Sequence, residues 1–185
     1  MAFESSIKPS WLNDLEKAIK RNKRDAYNRY FQLATIDSEG WPRVRTVVFR
    51  GFADQTGALL FITDSRSKKM GSIESGGKAE ACWYFTQSRE QFRLQGHLAV
   101  VDDSTDREAM WSRLSPAAKE QFFWVTPGAP LGEGDSVLNQ NDVPSTMVLI
   151  KLVPESIDHL VLAKEQERQR HTQTGDGWQA NRINP

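Results

Sequence analysis

The stretch Glu90-Gln-Phe-Arg-Leu-Gln-Gly-His-Leu-Ala-Val-Val101 decides the fold. Its even positions carry Phe92, Leu94, Gly96, Leu98 and Val100, and its odd positions carry Gln91, Arg93, Gln95 and His97. Alternation with a period of two makes a strand that buries the apolar set and turns the polar set out of the core. Immediately before it, Lys78 to Thr86 reads as a second strand with Ala81, Cys82, Trp83, Tyr84 and Phe85 apolar or aromatic at both parities. A strand apolar on both faces needs cover on both. One cover is the core, and the other points to a second subunit.

Outward from this pair, the pattern continues as strands in short succession. Phe31 to Asp37 runs into the turn cluster Ser38-Glu39-Gly40-Trp41-Pro42, Val44 to Phe52 leaves it, and Ala53 to Gly57 turns the chain into Ala58 to Thr63. Three runs with short links predict an antiparallel meander. Between Thr63 and Lys78 a short helix is expected, capped by Ser67 and stopped by Gly76-Gly77. At the N-terminus, Ser10 reads as the cap of a helix with an apolar stripe of Trp11, Leu12, Leu15, Ala18 and Ile19. The basic residues at its end, Lys17 to Arg24, read as complements of the helix dipole. Beyond Val101, two helices are expected over Thr105 to Leu114 and Pro116 to Trp124, with Ser115 as a cap before proline. A Gly- and Pro-containing loop, Thr126 to Ser145, follows. Strands then resume at Met147 to Val153 and at Leu160 to Ala163 and on through Arg170, and Thr174-Gly-Asp-Gly177 turns the chain into Trp178 to Ile183.

Six or seven antiparallel strands with short flanking helices and no β-α alternation predict a mainly β fold, a closed antiparallel barrel. At 185 residues the chain is expected to form a single domain, 1–185, with an N-terminal helix in 1–28 and a barrel in 29–185 that carries a helical insert at 104–125. The 24 Lys and Arg balance 24 Asp and Glu, which argues against a nucleic-acid partner. One cysteine excludes a disulfide framework and a thiolate zinc cage. No apolar run approaches membrane-spanning length, and Met1-Ala-Phe-Glu-Ser-Ser6 lacks a signal-peptide pattern, so no membrane partner and a cytoplasmic location are expected.

Nucleophile elbows, phosphate-binding loops and dinucleotide fingerprints are missing from the sequence, and His97, His159 and His171 have no metal-ligand spacing. What the chain does carry is a set of cations and hydroxyls at strand ends. Arg45 and Arg50 flank Thr46-Val47-Val48-Phe49, Thr63 ends the next strand, and Ser67-Lys68-Lys69 opens a helix. Hydroxyl and ammonium donors converging there suit a phosphate, although lysines in a first helical turn are commonly just solvated. Arg45 and Arg50, five apart, belong on opposite faces of a regular strand, so a bulge is needed for both to reach one ligand.

In this order and spacing, Arg45-Thr-Val-Val-Phe-Arg50, Leu60-Phe-Ile-Thr63, Ser67-Lys-Lys69 and Glu90 to Gly96 resemble the pyridoxamine 5′-phosphate oxidase family of FMN-binding split barrels. The resemblance covers Tyr30 to Val101 and returns in Trp178 to Pro185. It implies FMN as cofactor, with Arg45, Thr46, Val47, Val48 and Phe49 lining it and Arg45 reaching its phosphate. Ile62, Thr63, Ser67, Lys68 and Lys69 complete the set around the cofactor, Gln91 meets its ring system and Arg168 lies near the flavin. Arg50 stands where the family places a lysine facing the substrate, and Arg113 is the second residue implied for a small anionic substrate. No metal is implied. The resemblance also implies a homodimer with the cofactor at its interface.

Where the family oxidases carry an Arg-x-His-x-Arg run after a tryptophan, this chain has Lys164-Glu-Gln166-Glu-Arg168, and the tryptophan falls at Asp158 or His159. A Gln-Ser pair falls at Gly128-Ala129, and a tyrosine at Met110 or Trp111. The cofactor half of the pattern is largely kept and the substrate half is largely lost. The expectation is an FMN-dependent oxidoreductase related to these oxidases, acting on a small anionic molecule by hydride transfer to FMN. A non-catalytic holder of flavin, haem or deazaflavin, and a cofactor-free interaction dimer, are the alternatives.

Overall fold

The computed structural model describes residues 8–74, 76–131 and 142–185. The chain opens with α1 (Ser10–Arg21), whose Trp11, Leu12, Leu15 and Ala18 are buried. Ser10 is the first helical residue rather than the cap. Pro9 holds the cap position, with no side chain bonding to the helix end. A 3-10 turn, Ala26–Arg29, leads to β1 (Tyr30–Ile36), β2 (Pro42–Val48), β3 (Gly51–Phe52), β4 (Leu59–Asp64), α2 (Lys69–Glu74), β5 (Lys78–Phe85) and β6 (Glu90–Val100). Helices α3 (Ser104–Ser112) and α4 (Pro116–Glu120) precede β7 (Met147–Val161), β8 (Glu167–Thr174) and β9 (Gly177–Ile183). Part of the loop expected over Thr126 to Ser145 lies outside the described residues.

All pairings are antiparallel, in the order β2-β1-β5-β6-β7-β4-β3, with β8 and β9 added beside β7. The expected closed barrel is corrected: the hydrogen-bonded sheet stays open between β2 and β3. These two edges are nevertheless consecutive in the chain. The N–H of Phe49 donates to Arg29 O at 2.8 Å and the N–H of Arg50 donates to Leu60 O at 2.8 Å, so neighbouring amides serve opposite edges. Gly51, at φ +137°, supplies the backbone conformation that turns the strand from one partner to the other.

Among the described residues nine strands replace the expected six or seven: the expected Val44 to Phe52 run divides into β2 and β3, and the run from Leu160 through Arg170 divides between the end of β7 and β8. The polar stretch around Glu155 does not end β7. Its register against β6 shifts between Gln95 and Gly96, so that Gln95 faces Ser156 and Gly96 faces Pro154. A Cβ on Gly96 would lie 1.9 Å from Val153 O, so only glycine admits this approach. The main core gathers Phe31, Leu33, Phe61, Trp83, Phe85, Phe92 and Leu94, all fully buried, with α1 packed against it. A smaller core of Met110, Trp111, Leu114, Phe122, Met147 and Leu149 fixes the helical insert.

Candidate functional site

Arg45, Val47 and Thr63 sit on strand positions whose neighbours, Leu33, Phe31 and Phe61, point into the core. Arg45 donates through Nη1 to Thr35 Oγ1 at 2.7 Å and Leu33 O at 3.2 Å, which ties its guanidinium back to β1. There it meets the end of β4 and the start of α2. Lys69 Nζ donates to Thr63 Oγ1 at 2.5 Å and Ser67 Oγ at 3.0 Å. A cleft of about 260 Å³ opens at this point, lined by Arg45, Thr46, Val47, Val48, Arg50, Ile62, Thr63, Asp64, Ser67 and Lys69. Gln121 and Pro127 border it too, and no sequence signal marked them, because the helical insert reaches the site only through tertiary packing.

Arg45 and Arg50 therefore share one cleft despite their spacing. The break between β2 and β3 supplies the change of face that the sequence required.

The electrostatics are one-sided. Among the described residues no ion pair engages Arg45, Arg50 or Lys69, and the nearby Asp64 is held by Arg66, with Nη2 to Oδ2 at 2.7 Å. Burial lowers the pKa of Lys69 from its ordinary value, with a further push from Arg45 and an opposing pull from Asp64. Burial likewise lowers those of Arg45 and Arg50. Arg50 Nε is buried without a hydrogen-bond partner. Clustered, desolvated cations beside two hydroxyls and an orphaned donor are stabilised by a multiply charged oxyanion.

Other expected site residues lie elsewhere. Lys68 is exposed and outside the cleft. Phe49 packs against Phe52 and Trp83, with centroids 5.0 and 4.9 Å away. Gln91 pairs with Leu160 and Leu160 with Arg168, which places Gln91 and Arg168 in one row across the sheet, apart from the cleft. Arg168 is clamped by Asp158 through two bonds of 2.9 and 2.8 Å. Arg113 and Arg50 line a second cleft with Lys23 and Arg29. Lys164 to Glu167 are exposed where β7 passes to β8. Met110 and Trp111 are buried in the smaller core.

Similarity to known proteins bears on this arrangement directly. Residues 8–102 match the model described as pyridoxamine 5′-phosphate oxidase, FMN-binding domain. A pyridoxine/pyridoxamine 5′-phosphate oxidase 2 of Arabidopsis thaliana is 34% identical over 95% of this chain and 96% of its own length. An oxidase from Mesorhizobium japonicum is 36% identical, but the match spans 51% of this chain and 43% of that protein. Among solved structures, a pyridoxamine 5′-phosphate oxidase-related, FMN-binding protein from Nostoc punctiforme superposes with a TM-score of 0.87 at 40% identity, covering 97% of this chain and 99% of that one. PhzG from Burkholderia lata, at 17% identity and a TM-score of 0.76, shares the fold. The chain is an FMN-binding split-barrel protein and belongs to the pyridoxamine 5′-phosphate oxidase family.

Proposed function

We propose that this protein is a homodimeric flavoenzyme that oxidises a small anionic molecule, with the phosphate of FMN held in the Arg45–Lys69 cleft. The observation that carries the reading is that Arg45, Arg50 and Lys69 line one cleft with Thr63 and Ser67, and that among the described residues no acid is paired to any of the three cations. That donor set fits a phosphate monoester: the guanidiniums offer paired N–H groups, the ammonium offers its remaining donor, and the orphaned Arg50 Nε gains a partner. Val47, Val48 and Ile62 form the apolar side of the cleft and exclude water from what is bound there. Gln91 and Arg168 do not line this cleft within one chain. In the dimer, Gln91 of the partner subunit and Arg168 of the partner subunit meet the flavin. When bound, FMN supplies the acceptor for a hydride taken from the substrate. Arg50 and Arg113 attract the substrate's charge.

A second reading, a protein that holds FMN (or a haem or deazaflavin) without turnover, is favoured by the exposed Lys164 and Gln166 standing where the related oxidases carry Arg and His. One experiment separates the two. Purified protein should be yellow, and its flavin should bleach under anaerobic conditions with at least one donor from a panel of small phosphorylated or carboxylated amines and alcohols. A colourless protein that takes up no added FMN sinks both flavin readings, and a yellow protein that no donor reduces favours the holder.

A further inference from the structure

The turn that joins β4 to α2 carries an acid at the flavin cleft and, two residues on, the cation that holds it. Asp64 is the one acid among the described residues that line the cleft. Its backbone carbonyl accepts the N–H of Ser67 at 3.0 Å, a tight turn with Arg66 at its bend. Arg66 donates to the Asp64 carboxylate three times: from its backbone N–H to Oδ1 at 2.8 Å, from Nε to Oδ1 at 3.0 Å and from Nη2 to Oδ2 at 2.7 Å. The two side chains are only 19% and 10% exposed, so salt screens the pair little. Arg66 is not among the residues that line the cleft. Lys69 feels the acid as well: burial and then Arg45 lower the pKa of its ammonium, and Asp64 pulls it back up. A carboxylate free to swing to Lys69 would take the one ammonium proton that Thr63 and Ser67 leave over.

We propose that Arg66 is a positioning residue for the flavin phosphate, acting through Asp64: it holds the carboxylate off Lys69 and offsets its charge, so that the cleft meets a dianion as a cationic surface. The inference rests on the flavin reading of this cleft. Without the clamp, a bare carboxylate would face the phosphate in a partly desolvated place, where like charges repel far more than in water. The planar guanidinium fork matches both carboxylate oxygens at once, which an ammonium does not. Arg66 makes one further contact, from Nη2 to Trp124 O at 3.2 Å, which fastens the segment that brings Gln121 and Pro127 to the cleft. That contact supports a wall that any flavin meets, with or without a phosphate. The hold on Asp64 matters to the phosphate alone, so the two contributions of one side chain separate by ligand.

The test is fluorescence-quenching titration with FMN and with riboflavin on wild type, Arg66→Ala, Asp64→Asn and the double variant. Arg66→Ala should weaken FMN about tenfold more than it weakens riboflavin. In the Asp64→Asn background no carboxylate is left to hold, and the same change should weaken the two ligands alike. Arg66→Lys should fall between wild type and Arg66→Ala with FMN. Arg66→Gln, which keeps bulk and loses the charge, carries the same cycle if Arg66→Ala does not fold. Equal losses of FMN and riboflavin with Asp64 present would reduce Arg66 to a support of the wall. An FMN-specific loss that persists with Asp64→Asn would make Arg66 a direct reader of the phosphate. Either result overturns the inference while leaving the flavin reading in place, whereas wild type that takes up no FMN overturns both.

Discussion

Lys69 and Thr63 are joined by a hydrogen bond of 2.5 Å, from the ammonium at the start of α2 to the hydroxyl at the end of β4. With Ser67 Oγ also accepting at 3.0 Å, two of the three ammonium protons are spent inside the protein and one is left for a ligand. The charge is thus aimed before anything binds.

Lys69→Ala should therefore weaken FMN by ~1.5–3 kcal/mol, the range for a hydrogen bond to a charged group. Riboflavin, which lacks the phosphate, should lose much less. Quenching of flavin fluorescence gives both affinities, and equal losses would show that Lys69 does not read the phosphate.

On the outer face of the sheet, Tyr84 and Tyr30 are 41% and 43% exposed, and Val44 is 64% exposed. Aromatic and branched side chains left open on a sheet are the expected core of a contact with a second chain. Sedimentation at low micromolar concentration should show twice the 21.0 kDa chain mass. Tyr84→Glu should shift the protein toward monomer and release flavin. A stable, flavin-loaded wild-type monomer would remove the shared-site arrangement.

Lys164 and Gln166 keep charge and hydrogen bonding relative to arginine and histidine, but they lose the bidentate fork and the titrating ring. Two contacts at ~1.5–3 kcal/mol each correspond to roughly two to four orders of magnitude in transition-state binding if they add. Wild type should oxidise pyridoxamine 5′-phosphate poorly, and Lys164→Arg with Gln166→His should raise kcat/KM. Ordinary turnover by wild type, with micromolar affinity for this substrate, would show that the exposed run does not limit the reaction.

His171 is buried, and neither ring nitrogen has a hydrogen-bond partner among the described residues. Burial first, and then His159, hold its pKa below the ordinary 6.5, against the pull of Asp14. The unfolded chain then takes up the proton at higher pH than the folded one. Stability from this neutral ring is whole above pH 6.5 and is lost as pH falls through the lower folded-state value. Urea midpoints of wild type should drop between about pH 7 and pH 5. His171→Leu should flatten that drop and raise stability at the acid end by on the order of 1 kcal/mol. An identical pH slope in both proteins would exclude His171 as its source.

The sequence was most legible where one force acted alone. Glu90 to Val101 alternates strictly because one face is core and the other is not, and the observed strand ends one residue earlier. Ser115 and Pro116 mark a helix start by local chemistry, and Ser115 Oγ accepts from Ala118 N. Legibility failed where tertiary contact overrode local pattern. β7 runs through Pro154 because a register shift against β6 accommodates it. The phosphate-type cluster was readable, since Arg45, Thr63, Ser67 and Lys69 lie at strand and helix ends. Arg29 and Lys23 were not, because a basic helix end facing solvent and one facing a cleft have the same sequence.

The handover of β2 to β3 also limits how this family member can vary in length. Phe49 and Arg50 each fasten one edge of the sheet, so the two ladders share a single ruler with no slack. One residue added or removed between Val48 and Gly51 would slide Arg50 away from both clefts and misalign one edge against the other. Changes of length are far better absorbed at the turn between β8 and β9, which touches neither cleft. Lineages related to this chain are thus free to lengthen their rims while this stretch of backbone keeps its count.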